Sequence, residues 1–204
     1  MNALPGTPDS VPLSLRGPAP TRVVIAFGFW LFLLSDIIIF GALFAAYAVL
    51  SGQTDGGPSG PDLFDRGRVL LETGILLASS FTCGMAMLAA SAKQRSKMIV
   101  WLLGTFALGG AFLGIEVIEF SEMISQGAGP SRSAFLSSFF ALVGTHGLHV
   151  FVGLLWIVLM IAQALTMGMH ERVQNRLLCF ALFWHALDIV WVGVFTIVYL
   201  GAHL

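Results

Sequence analysis

Five apolar stretches, each long enough to cross a lipid bilayer, dominate this chain. A bilayer core needs about 20 apolar residues per helix, and the stretches lie at about 25–50, 69–91, 98–119, 135–164 and 177–202. Of the 204 residues, 57% are hydrophobic and 10% are charged, whereas a soluble domain has about a quarter of its residues charged. The sequence therefore predicts an all-α membrane protein with five transmembrane helices.

The polar segments around these stretches predict a tail and loops. Five prolines within residues 1–22 indicate a mobile N-terminal tail, and no cleavable signal peptide is recognisable there. Residues 23–204 are expected to form a single five-helix transmembrane domain. The segments 51–68 and 127–133 are rich in glycine, proline and serine, which predicts surface loops.

The distribution of basic residues predicts the orientation. With a cytoplasmic N-terminus, seven lysines and arginines lie inside and three outside, which agrees with the positive-inside rule. The C-terminus is then expected to be periplasmic. The inner residues are Arg16, Arg22, Lys93, Arg95, Lys97, Arg172 and Arg176, and the outer ones are Arg66, Arg68 and Arg132.

Acidic and imidazole side chains interrupt the apolar stretches. A charge in hydrocarbon costs at least a few kcal/mol, so such groups face one another or a wet cavity and are candidates for function. Because the rise is about 1.5 Å per residue, they sort by depth into a midplane set, an outer set and His149 between the two. The midplane set is Asp36, His185 and Asp188, and the outer set is Glu72, Glu116 and His146, with Glu119 slightly beyond.

Three interpretations of these side chains remain open. They can hydrogen-bond between helices, acid to imidazole, where water is absent. They can form a proton-handling site, since burial and neighbouring charges change the protonation of carboxyl groups. The outer set can also bind a lipid head group. In the first interpretation, Asp36 bonds to His185 or Asp188, and the outer set joins the second, third and fourth helices.

The spacing of the histidines argues against a redox centre. His146 and His149 share one helix face, so they cannot supply ligands from opposite sides of one haem, and no third copper or zinc ligand is evident. We therefore expect no bound redox metal in this chain. Gly110 and Gly114 form a GxxxG motif, which predicts close helix packing. The net charge of −1 gives no electrostatic reason to bind nucleic acid.

Several segments of this sequence together resemble subunit III of the haem–copper terminal oxidases. The resemblance covers nearly everything from Phe27 to Leu200, and the five-helix form is closest to the cytochrome o ubiquinol oxidase branch. In that family the acid after Ser35 is commonly glutamate, whereas here it is Asp36. The similar segments are SD at 35–36, LET at 71–73, FLGIEVIEF at 112–120, GPSRS at 129–133, FFALVGTHGLHV at 139–150 and FWHALDIVW at 183–191.

The resemblance implies an accessory, multi-pass subunit of a proton-pumping oxidase in the bacterial inner membrane. In such complexes subunit I carries the haems and copper, and quinol is oxidised nearby, so the resemblance implies no metal, no cofactor and no catalytic residue in this chain. Subunit III stabilises subunit I, binds phospholipid in a helix cleft and supports proton uptake. The expected partners are therefore subunit I, the other oxidase subunits (II and IV) and membrane phospholipids.

Other classes of function remain as alternatives. Subunit III of a bacterial cytochrome c or menaquinol oxidase is the nearest of them. An autonomous proton-coupled carrier would use the same acids to bind and release ions, and would be active alone in liposomes. A haem-binding membrane anchor would show a Soret band in the isolated chain.

Overall fold

The computed structural model describes residues 19–57 and 66–201, which form five long helices and no strand. All five are long and apolar enough to span a membrane, so the predicted all-α membrane fold is confirmed for this part of the chain. The last of the five helices continues into a π-helical stretch, Phe195–Leu200. The helices are α1 Thr21–Leu50, α2 Arg66–Ser91, α3 Arg95–Ser125, α4 Ala134–Met167 and α5 Glu171–Val194.

The helices extend beyond the apolar stretches from which they are predicted. Helix α3 ends at Ser125 rather than at residue 119, and α5 begins at Glu171 rather than at 177. The apolar stretch of a sequence marks only the part of the helix that lies in hydrocarbon. The helical hydrogen bonds continue into the polar residues at both ends of that stretch. The predicted tail, 1–22, overlaps the start of α1 at Thr21. Residues 1–18 and 202–204 lie outside the described residues.

Local chemistry fixes several helix ends. Ser133 precedes α4, and its hydroxyl accepts a hydrogen bond from the Leu136 amide at 3.2 Å, as expected of an N-cap serine. Gly168 ends the same helix with φ 73°, a conformation that glycine adopts at little cost. Between α2 and α3 the chain turns within 92–94, where Lys93 has φ 56°. These short connections make neighbouring helices antiparallel.

Four helices form a closed bundle, and α1 packs on its outside. Helix α2 packs on α3, α3 on α4, α4 on α5, and α5 back on α2. Helix α1 contacts mainly α4 and α5. Its buried side chains are Leu33, Phe40 and Tyr47, which are spaced seven residues apart and therefore form one narrow stripe. Most of the α1 surface is left exposed and apolar.

Two glycines make room for a tryptophan at the centre of the bundle. A Cβ at Gly109 of α3 would lie 2.8 Å from the Trp184 ring, and one at Gly153 of α4 would lie 2.7 Å from it. The indole of α5 therefore fills a slot that only glycines leave open. Within the described chain the GxxxG face packs on no other helix, because nothing lies within 4 Å of a Cβ at Gly110 or Gly114. A glycine spacing does not reveal which helix face is packed.

Candidate functional site

A line of hydrogen bonds joins α2 to α5. The Trp184 indole donates to the Ser79 hydroxyl at 3.1 Å, and the Trp191 indole donates to the Thr73 hydroxyl at 3.1 Å. The Ser80 hydroxyl lies 2.7 Å from His185 Nδ1. Thr73 pairs with Trp191 and Ser79 with Trp184, so the order along α2 is the reverse of that along α5, as expected for antiparallel helices. We call this set the α2–α5 seam: Thr73, Ser79, Ser80, Trp184, His185 and Trp191.

His185 and Asp188 lie one turn apart at this seam. The distance from His185 Nδ1 to Asp188 Oδ2 is 3.7 Å, which is beyond a hydrogen bond but within ion-pair range. The His185 side chain is 43% exposed and that of Asp188 only 11%. The seam therefore places a buried acid behind a partly open imidazole. The predicted association of these two residues is present, with Ser80 as an additional partner.

Asp36 does not bond to His185 or Asp188. It is half-buried in a small cleft between α1 and α5, beside Phe183 and Leu187. Within the described residues it makes no hydrogen bond or ion pair, so the expected bond to His185 or Asp188 is absent. The reason is that His185 turns toward Ser80 of α2, whereas α1 packs on the α4 side of α5.

Glu72 and Glu116 lie in the core at the other end of the α2–α5 seam, toward the C-terminus of α5. Glu72 is 0% exposed and Glu116 is 2% exposed. Neither oxygen of either carboxyl has a hydrogen-bond partner in the described part of the chain. The two carboxyls, together with the buried Glu119, lie within electrostatic range of one another. The Tyr199 hydroxyl, from the π-helical end of α5, lies within the same range.

An ion pair lies next to these acids at the surface. Arg68 Nη1 donates to Glu122 Oε2 at 2.7 Å, joining the start of α2 to the end of α3. Both side chains are partly exposed. Arg68 also acts electrostatically on Glu72. Arg68 thus lies next to the buried acids while it binds the carboxylate of Glu122.

His146 is enclosed by aromatic rings rather than by acids. Its ring centroid lies 5.3 Å from that of Trp191, 5.9 Å from Phe112 and 6.3 Å from Phe40. It is fully buried, and neither ring nitrogen has a partner within the described residues. The expected bond between this imidazole and Glu72 or Glu116 is therefore not formed. The aromatic side chains occupy the space through which the imidazole would reach either carboxyl.

His149 binds its own helix. Its Nδ1 lies 2.7 Å from the Thr145 carbonyl oxygen, and its ring stacks on Phe183 with centroids 6.3 Å apart. Phe40 of α1 contacts both histidines of α4. Among residues 19–57 and 66–201, no group of three histidine, cysteine, aspartate or glutamate side chains could hold a metal ion.

The sequence did not single out the hydroxyl partners on α2 or Tyr199. Thr73, Ser79 and Ser80 look like ordinary small residues of a membrane helix, which commonly bond to their own backbone. One signal was available, because Trp184 and Trp191 are seven residues apart and hydroxyls on α2 repeat at nearly the same interval. Tyr199 gave no signal, since its position depends on the π-helical turn.

A cleft opens where the basic residues cluster, between the start of α1 and the start of α5. It encloses about 560 Å³. Phe29 and Trp156 give it an apolar wall, while Arg172 and Arg176 lie at its polar side. Arg176 also donates to the Gln163 side chain at 2.8 Å. The cleft thus combines apolar surface with cationic groups at one end of the bundle.

Comparisons with known proteins agree with this architecture. The family described as "Cytochrome c oxidase subunit III" matches residues 17–203. The cytochrome bo(3) ubiquinol oxidase subunit 3 of Pseudomonas aeruginosa is 56% identical over 174 residues, covering 85% of this chain and 83% of the relative. The quinol oxidase subunit 3 of Bacillus subtilis is 40% identical over 173 residues, covering 85% of each.

The resemblance seen in the motifs is therefore confirmed by matches that cover nearly the whole chain. The buried acids and histidines described above all lie inside the matched range. The chain belongs to the cytochrome c oxidase subunit III family.

Proposed function

We propose that this chain is the accessory subunit III of a proton-pumping terminal oxidase that oxidises ubiquinol and reduces oxygen to water. The observation that carries the proposal is the match over residues 17–203. The substrate class follows from relatives that are named ubiquinol oxidase subunits at 46–56% identity. The chain itself contributes no catalytic group. The haems and copper lie in subunit I, and subunits II and IV complete the complex.

The chain acts on subunit I through packing and its lipid surroundings. Most of α1 faces outward with large apolar side chains, which is suited to lipid or to another membrane subunit. The bundle stabilises subunit I and supports proton entry into it. The N-terminus is cytoplasmic and the complex is in the bacterial inner membrane, because the basic residues cluster at one end of the bundle.

The cleft at the basic end supports phospholipid binding. Arginine side chains beside an apolar cleft at the cytoplasmic side suit a phosphate head group with its acyl chains. We expect Arg172→Gln with Arg176→Gln to reduce the amount of anionic phospholipid that co-purifies with the complex. Arg132→Gln, at the opposite end, is the matched control. Unchanged lipid content in the double variant, measured by mass spectrometry, would show that the cleft does not bind phospholipid.

Purification in mild detergent tests the proposed function most directly. A tagged chain is expected to co-purify with a haem-bearing partner, and the complex to oxidise ubiquinol. The isolated chain is expected to show no Soret band and no transport in liposomes. Proton-coupled transport by the isolated chain would instead support the autonomous carrier, and a Soret band would support a haem anchor.

Asp36 tests the supporting role. Asp36→Leu is expected to leave the initial turnover of the purified complex unchanged and to shorten the time over which activity persists. Glu122→Gln, which changes an exposed acid of α3, is expected to leave both the initial turnover and the persistence of activity unchanged. Loss of the first turnovers in a fully assembled Asp36→Leu complex would show that the residue acts in catalysis itself.

A further inference from the structure

Glu72 and Glu116 have no role in the function proposed above. They come from two adjacent helices, α2 and α3, and their carboxyls interact electrostatically. Both are nine-tenths buried or more, and none of their four oxygens has a hydrogen-bond partner within the described residues. Glu72 and Glu116 are thus two buried carboxyls without hydrogen-bond partners in the described chain, contributed by two helices that pack along each other.

Two neighbouring carboxylates cannot both be ionised in such surroundings. Transferring one unpaired carboxylate into an apolar interior is so costly that the group binds a proton instead. A second negative charge close by raises that cost further, so two carboxyls that share a site hold at least one proton between them. A protonated carboxyl can also donate a hydrogen bond to its neighbour, which a pair of carboxylates cannot do.

The charged and titratable groups around this pair do not remove that cost. Arg68 of α2 binds Glu122 of α3 at 2.7 Å. His146 of α4 is enclosed by aromatic rings, with no bond to either acid. Glu119 adds negative charge next to the pair. Among the described residues, the other titratable groups near the pair are Arg68, which also acts electrostatically on Glu72, Tyr199 of α5 and, through Tyr199, Tyr47 of α1.

We propose that Glu72 and Glu116 form a proton-binding site inside the helix bundle, which holds at least one proton at neutral pH. The proton comes from water when a carboxylate is neutralised and returns to water when the acid ionises. No electron and no other reactant takes part. In the orientation proposed above, this site lies in the outer half of the membrane, away from the side of proton uptake.

The π-helical end of α5 contributes to this site. The stretch Phe195–Leu200 brings the buried Tyr199 hydroxyl within electrostatic range of both acids. Short π-helical turns inside α-helices occur frequently at functional sites. A phenol can both donate and accept a hydrogen bond, so Tyr199 can stabilise either protonation state of the pair.

Infrared spectroscopy of the intact oxidase complex tests the site. Glu72→Gln and Glu116→Gln each replace an acid by a neutral side chain of nearly the same shape. We expect the double variant, in which both acids are replaced, to assemble at the native yield and to lose absorption in the C=O stretching region of protonated carboxylic acids at neutral pH. The exposed Glu122 is ion-paired with Arg68, so Glu122→Gln is expected to lose carboxylate absorption instead.

Two results would overturn the proposal. If the double variant assembles but loses only carboxylate absorption, both acids are ionised and bind a cation rather than a proton. If the glutamine variants fail to assemble, the site requires a charge, because a neutral site accepts a neutral side chain of equal size. Neither result affects membership of the oxidase complex, which the tagged native chain tests separately.

Discussion

The two regions where α2 meets its neighbours treat buried polar atoms in opposite ways. In the α2–α5 seam both buried indole N–H groups have a hydroxyl acceptor, and His185 Nδ1 has Ser80. At Glu72 and Glu116, where α2 meets α3, no oxygen has a partner in the described chain. Both regions are buried against the same helix. They differ because the seam pairs indole N–H groups and an imidazole with hydroxyl groups, whereas the other region contains carboxyls that carry charge unless they bind a proton.

The difference separates polar groups that hold helices together from polar groups available for another task. Buried polar atoms are nearly always hydrogen-bonded in native proteins, and each exception calls for an explanation. The indole N–H groups of the seam follow the rule, whereas Asp188 Oδ2 beside them has no hydrogen-bond partner in the described chain and lies 3.7 Å from His185 Nδ1. The carboxyl pair breaks the rule, which is why we assign proton binding to it and only packing to the seam.

The largest expected effect comes from filling the slot of Trp184. Gly109→Ala and Gly153→Ala each place a Cβ within 3 Å of a rigid indole, so the ring that donates to Ser79 must move. Such overpacking costs about 1–3 kcal/mol. The temperature at which the purified complex loses this chain is expected to fall in both variants. If neither variant lowers it, the seam does not depend on the position of Trp184.

Gly110→Ala is the matched control for that experiment. It adds the same methyl group to the same helix, one residue from Gly109, but meets nothing within 4 Å in the described chain. Both changes bring the same gain in helix propensity, about 1 kcal/mol. The difference between the two variants therefore isolates the contact with the indole.

Removing one acceptor from the seam is expected to have the next largest effect. Ser79→Ala leaves the buried Trp184 N–H without its partner, at a cost of about 0.6–2 kcal/mol for a bond between membrane helices. Ser91→Ala is the control, because its hydroxyl bonds only to its own helix at an exposed position. Equal thermal stability of the two variants would show that the seam contributes no interhelical stabilisation.

Changing His146 is expected to have a smaller effect. Since neither ring nitrogen has a partner in the described residues, His146→Phe loses no hydrogen bond and keeps a ring among aromatic neighbours. A volume-conserving change of this kind costs less than about 1.5 kcal/mol. A loss larger than that of Ser79→Ala, measured by the same thermal assay, would mean that His146 has a polar partner in the complex.

The smallest expected effect is that of the surface ion pair. Arg68→Gln breaks the bond to Glu122, and partly exposed pairs contribute about 0.2–1 kcal/mol. Its effect on thermal stability is expected to decrease as salt is added, because exposed charges are screened. An effect that does not respond to salt would indicate that Arg68 acts instead on the buried Glu72.

Some parts of the site followed from the sequence and others did not. The burial of Glu72, Glu116, His146 and Asp188 was expected, because a polar group within an apolar helix turns away from lipid. The partners were less predictable. Asp36 lacks its expected bond to α5, since the choice of bonding partner depends on how α1 is rotated against the bundle.

The amino-acid sequence determined the number of helices, their apolar character, the family and the burial of the acids. These follow from the length of each hydrophobic stretch and from the cost of charge in hydrocarbon. Only the tertiary structure decided that Gly109 and Gly153, not Gly110 and Gly114, receive Trp184, and that His146 has no hydrogen bond to Glu72 or Glu116. Rotation of each helix about its axis fixes these contacts, and it is set by the packing of all five helices together.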